Sequence, residues 1–151
     1  MKTLMLAAVL GLSVAGCSTT GQLTDSEKLA LYRANAGAPV NGFNYFGDLD
    51  GWTDLGDSAL AVWTRPNQAY LLELGGPCMD LSTAMAIGTT NQMGMVSARF
   101  DSVVVYGSPP SFRIPCTIQT IRPLNVKALR ASEQELREAR IQERAVNAPK
   151  Q

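Results

Sequence analysis

The chain has 151 residues, 46% hydrophobic and 17% charged, with 13 basic and 13 acidic side chains and no histidine. That length suits one domain of ordinary size, and electrical neutrality removes the electrostatic case for nucleic acid or for a polybasic membrane patch. The missing histidine excludes His-based triads, His-ligated zinc and histidine proton shuttles, and no G-x-x-x-x-G-K phosphate loop is present.

The first predicted element is an address. Lys2 gives a positive start, and Leu4 to Leu12 form a short apolar run broken by Gly11. The run has about half the length needed to span a bilayer, so it reads as an export signal and not as a membrane helix. It ends in Val14-Ala15-Gly16-Cys17. This ending resembles the lipobox of bacterial lipoproteins, in which small residues admit the chain to the lipoprotein signal peptidase. The resemblance implies a diacylglyceryl group on the Cys17 sulfur, cleavage that removes residues 1–16, and acylation of the freed amine. Two or more acyl chains anchor a protein stably, where one binds marginally. Ser18 stands where inner-membrane retention would want aspartate, so the resemblance implies a lipid-anchored protein of the cell envelope, sorted to the periplasmic face of the outer membrane.

The mature chain would keep 135 residues and, with Lys2 gone, a net charge of −1. Residues 17–24 read as a short lipidated tether. Thr24-Asp25-Ser26-Glu27 is a capping box that opens a helix over 25–36, with Gly37 as its stop. Because this helix follows the tether directly, the domain is expected to sit close to the membrane surface.

From Phe43 the texture changes to short apolar runs between turn residues, which predicts β-structure over about 42–122. Phe43 to Phe46 is a candidate first strand, and Trp52 starts the next extended piece after an Asp-Gly turn. Leu60 to Thr64 and Ala69 to Leu74 form a hairpin joined by the four residues Arg65-Pro66-Asn67-Gln68. Tyr70, Leu72 and Leu74 share one face and Glu73 lies on the other. Asp80 is placed to cap a short helix whose stripe is Leu81, Ala84, Met85 and Ile87, closed by Gly88. The segment from Thr89 to Ser97 carries no clear pattern. Val103 to Tyr106 suits a central strand, Gly107 to Ser111 turns it back, and Cys116 to Ile121 alternates as the last strand. Ser132-Glu133-Gln134-Glu135 is a second capping box, predicted to open a charged helix that runs to about Ala145. Glu133 and Arg137 stand four apart, an ion-pair spacing. Leu136, Ala139 and Val146 give this helix only a thin apolar stripe, so it is either loosely docked or frayed.

With Cys17 assigned to lipid, Cys78 and Cys116 remain as an even pair, and two cysteines in an oxidising compartment normally bond. Their loop of about 38 residues would contribute ~4 kcal/mol on the chain-entropy model. A redox role would want a C-x-x-C spacing, which these two lack.

The core over about residues 50–122 resembles a group of small uncharacterised lipoproteins from Gram-negative bacteria, grouped as a domain of unknown function. The resemblance rests on Trp52 before the hairpin, Cys78-Met79-Asp80-Leu81, Ile87-Gly88, Asp101 ahead of the valine strand, and Cys116. It implies no substrate, cofactor or catalytic residue, and the charged C-terminal helix lies outside it.

Three site chemistries fit residue types in the chain. Asp48, Asp50, Asp54 and Asp57 invite calcium, but an EF-hand register begun at Asp48 meets Trp52, Thr53 and Ala59 where it needs a ligand, glycine and glutamate. Met79, Met85, Met93 and Met95 would suit Cu(I), although Met85 falls on the predicted apolar stripe, where methionine is a common filler. Asp50, Asp54, Glu73, Asp80 and Asp101 could serve a carboxylate-dependent hydrolase, but none sits in a spacing that this chemistry demands. Asp101 suits backbone hydrogen bonds better. No cofactor, metal site or catalytic residue is therefore assigned. The expectation is an α+β protein: a small, mostly antiparallel sheet of four to six strands, a short helix after Cys78, and flanking N- and C-terminal helices. The single domain spans 25–126, and 127–151 forms the charged helix and tail. Barrel closure stays open. Functionally it reads as a binding or structural module of the envelope, held to the membrane through Cys17, with its C-terminal helix available to an envelope protein partner. A metal-binding lipoprotein or an envelope hydrolase is the alternative.

Overall fold

A computed structural model describes residues 22–45, 47–107 and 113–147. Cys17, its signal and most of the tether lie outside the described residues, as does most of the turn after Gly107.

Helix α1 (Asp25–Ala34) begins as its capping box requires. The Thr24 hydroxyl accepts from the Glu27 amide, and the Glu27 carboxylate accepts from the Thr24 amide. Its last residue is Ala34, two short of expectation, with Asn35 as the C-cap, because Ala36 already bridges to Leu124. Among the described residues eight strands follow: β1 (Gly42–Asn44), β2 (Gly51–Asp54), β3 (Ala59–Arg65), β4 (Gln68–Leu74), β5 (Ala86–Thr89), β6 (Met95–Ser97), β7 (Ser102–Tyr106) and β8 (Arg113–Pro123). Six of them form one antiparallel sheet, nearly barrel-shaped, in the order β2-β3-β4-β8-β7-β5; β1 and β6 pair as a separate ribbon.

The expected hairpin is present with a tighter turn. Arg65 pairs with Gln68, so only Pro66 and Asn67 connect the strands, and a bulge between Trp63 and Arg65 absorbs the mismatch. The segment after Cys78 departs further from expectation. A single 3-10 turn, Leu81–Thr83, stands where a longer helix was predicted. Asp80 does not cap it through its side chain and adopts a left-handed backbone with φ of 61°. Ile87 and Gly88 belong to β5, opposite Val105 and Val104. The period-3.6 stripe was a coincidence of apolar residues, overridden by pairing with the valine strand. Met85, expected to fill the core, is 89% exposed.

Alternation on β3 and β4 divides the interior into two cores. Leu60, Val62, Leu72 and Leu74 point into the curl of the sheet, where Val103, Val105, Ile118 and Ile121 meet them. Phe43 of the ribbon closes this core by stacking on Tyr70, centroids 4.4 Å apart. Ala59, Ala61, Ala69 and Leu71 point to the opposite face and carry Tyr32 of α1 and Leu129 of the second helix. Three alanines on that face let helices approach the sheet closely. Gly42 serves a similar purpose in the ribbon, because a Cβ there would collide with the Val96 carbonyl oxygen.

The predicted disulfide is present. Cys78 and Cys116 are bonded with Cα atoms 5.7 Å apart, tying the 3-10 turn to β8.

Helix α2 (Val126–Asn147) starts six residues before the second capping box. Its cap is Asn125, whose side-chain oxygen accepts from the Ala128 amide. Val126 and Leu129 are buried in the second core, which draws the helix back to the end of β8 and leaves Ser132 to Glu135 in its interior. Arg130 donates to the Pro66 carbonyl at 2.7 Å, fastening α2 to the hairpin turn. The first turns of α2 are therefore packed into the second core and held to the hairpin.

Candidate functional site

A concave surface lies between the two helices. It is a groove of about 480 Å³, floored by Leu31, Tyr32 and Thr53 and walled by α2. Glu133, Leu136, Arg137, Arg140, Ile141 and Arg144 line it, recurring every three or four residues so that one helical face is presented. Gln22 and Leu23, just ahead of α1, line it from the other side. The groove thus opens beside the start of the domain.

Its polar groups are mostly basic. Lys28, Arg137, Arg140 and Arg144 line it, and among the described lining residues Glu133 alone is acidic. The expected Glu133–Arg137 ion pair does not form. The Glu133 carboxylate accepts from the Tyr32 hydroxyl at 3.2 Å instead, and Tyr32 stands edge-on to Trp63. Burial pushes the Tyr32 phenol up to about 12, with the Glu133 charge adding to it. The Glu27 carboxyl is held below its usual range by its hydrogen bonds to the Thr24 backbone and side chain, and Arg140 contributes further. Lys28 pairs with Asp25 at 3.2 Å and lies 3.9 Å from Asp54. Among the described residues, neither Arg137 nor Arg144 forms an ion pair. Leu136 and Ile141 present 37% and 60% of their surface to solvent on the same face. Such a surface can bind an anionic, partly apolar ligand.

The residues singled out from the sequence are dispersed by comparison. Glu73 faces the helix layer, where Arg33 of α1 meets it at 2.7 Å and Arg122 at 3.6 Å. Asp101 is 2% exposed and is the buried charged residue of the described chain. One carboxylate oxygen accepts from the Ser97 amide and the other from the Thr90 hydroxyl, both at 2.8 Å, and that hydroxyl accepts in turn from the Ser102 amide. This carboxylate is spent on joining β6 to β7, as its expected preference for backbone donors implies. Asp50 donates its amide to the Trp63 carbonyl, and the Asp57 carbonyl accepts from the Cys78 amide. Among the described residues, no group of three or more cysteine and carboxylate side chains could hold a metal ion, so Asp48, Asp50, Asp54 and Asp57 do not form a calcium cage. Met79, Met93 and Met95 are exposed by 70%, 104% and 48%. Met93 sits with Gly94 at the tip of a two-residue turn, both with positive φ, between Gln92 and Met95.

Sequence reasoning missed the groove. Arg137, Arg140 and Arg144 were visible as a basic face at helical spacing, but near-equal numbers of glutamates on the same helix hid it. Among the described residues, no helix is long and apolar enough to cross a membrane.

No curated protein and no solved structure matches the chain. The profile of the Family of unknown function (DUF6491) matches residues 1–140, and the chain belongs to that family. The match extends well past the residues 50–122 on which the resemblance was first drawn and takes in most of α2, correcting the placement of that helix outside the shared region.

Proposed function

We propose that the protein is a lipid-anchored module of the bacterial cell envelope, held on the periplasmic face of the outer membrane through Cys17, and that it works by binding and not by catalysis. The observation that carries the anchor is the run Val14-Ala15-Gly16-Cys17 after a short apolar stretch. The three-cysteine count supports it, since Cys78 and Cys116 bond to each other and leave Cys17 to another chemistry. A binding role is supported by the α1–α2 groove, which combines the guanidinium groups of Arg137 and Arg144, in no ion pair among the described residues, with the exposed apolar side chains of Leu136 and Ile141. Of the carboxylates considered for hydrolysis, Asp54, Glu73 and Asp101 have structural partners for their side chains.

The test is Cys17→Ser in the full chain, expressed in a Gram-negative host. Without the thiol no diacylglyceryl group can be attached, so an unprocessed precursor should accumulate. Normal maturation of this variant would remove the anchor from the account.

A further inference from the structure

On the reading that Cys17 carries the lipid, we infer that the α1–α2 groove is a headgroup-docking surface, receiving the anionic phosphates of the leaflet to which the chain is tethered. Reach comes first. Gln22 lines the groove and lies five residues beyond Cys17, and five residues span at most about 18 Å when fully extended. A tether this short lets the groove reach a headgroup layer several ångströms deep and come within the roughly 10 Å over which surface charge is felt.

Charge comes second. The chain as a whole is neutral, yet four cations and one carboxylate line this groove. That carboxylate, Glu133, already accepts from Tyr32, while Arg137 and Arg144 form no ion pair among the described residues. A guanidinium presents a planar fork that matches phosphate oxygens. Leu136 and Ile141 stand on the same face of α2, at the level where an interfacial helix places its apolar side chains among the upper acyl segments. Glu135 and Glu138 do not line the groove, so the helix can turn its basic side to an anionic surface and its acidic side away. Docking would then fix the orientation of the domain on the membrane, leaving the Met93 turn and the sheet ends as separate surfaces.

The experiment uses the full chain, exported, purified from membranes in detergent, and carrying Ile141→Cys labelled with an environment-sensitive fluorophore. It is reconstituted into vesicles of phosphatidylcholine alone and of phosphatidylcholine mixed with phosphatidylglycerol. The label should shift to the blue in the mixed vesicles only, and concentrated salt should reverse the shift. Arg137→Gln combined with Arg144→Gln should lower the ratio of docked to undocked protein by about 30-fold, the effect of two basic residues near an anionic surface. Glu135→Gln combined with Glu138→Gln should leave that ratio unreduced, and matching circular dichroism spectra show that each variant is folded. Equal emission in the two vesicle types, or no shift in either, overturns the inference; the second result would leave the groove to an envelope protein. Failure of the anchor is read separately, because an unlipidated Cys17 takes up a second fluorophore, visible as two labels per chain by mass spectrometry. The response of position 141 is then obtained by subtracting the signal of the unsubstituted chain.

Discussion

Asp101 shows how a single side chain can look catalytic and be structural. A buried carboxylate is expensive unless its oxygens are satisfied, and here the Ser97 amide and the Thr90 hydroxyl satisfy them. Replacing it with alanine strands both donors in a closed site, so Asp101→Ala should cost about 3 kcal/mol in urea unfolding. Asp101→Asn keeps an acceptor for one donor and should lose roughly half as much. A loss near zero for the alanine variant would show that the network does not hold β6 to β7. The residue's preference for backbone donors could be read from its place before a β-branched run. Its hydroxyl partner could not, because Thr90 belongs to the one stretch without a pattern. Gly42 was equally opaque: its necessity appears only when β6 passes over it.

At the level of elements, legibility followed the number of mutually consistent signals. The α1 capping box and the β3–β4 hairpin carry local chemistry and alternation that agree, and both form where expected. The stretch after Cys78 offered periodicity alone, and pairing with β7 won. Ser132 to Glu135 misled for a related reason, since a capping-box pattern inside a helix differs in no local way from one at its start. Burial of Val126 and Leu129 decides the true beginning. The contact between α1 and α2 can be tested through pH. Tyr32 ionises at the ordinary phenol value of 10 when unfolded and at about 12 in the folded protein. Its contribution is therefore fully present below pH 10 and is lost as pH rises from 10 to about 12. Thermal melts across that range should show a fall in stability that Tyr32→Phe attenuates; an unchanged fall would mean that the phenol is not buried against Glu133.

The whole molecule is a strongly curled sheet filled from within and covered on one side by two helices, with the disulfide closing the far end. Net charge misled at this scale. Neutrality offered no case for nucleic acid or a polybasic membrane patch, yet the fold gathers Lys28, Arg137, Arg140 and Arg144 on one side of a helix pair, next to the residues that lead back to Cys17. The β-architecture was legible because strands announce themselves by alternation. The groove was not, because it exists only once α1 and α2 are set side by side. Family membership spans both helices, which fits a unit in which tether, helix pair and sheet act together. The central claim is that this unit is anchored through Cys17, and intact-mass spectrometry of the protein extracted from membranes tests it most directly. The account predicts a chain that begins at Cys17 and carries the added mass of a diacylglyceryl group and an amide-linked acyl chain. A chain that keeps Met1, or one cleaved elsewhere with an unmodified Cys17, would contradict it.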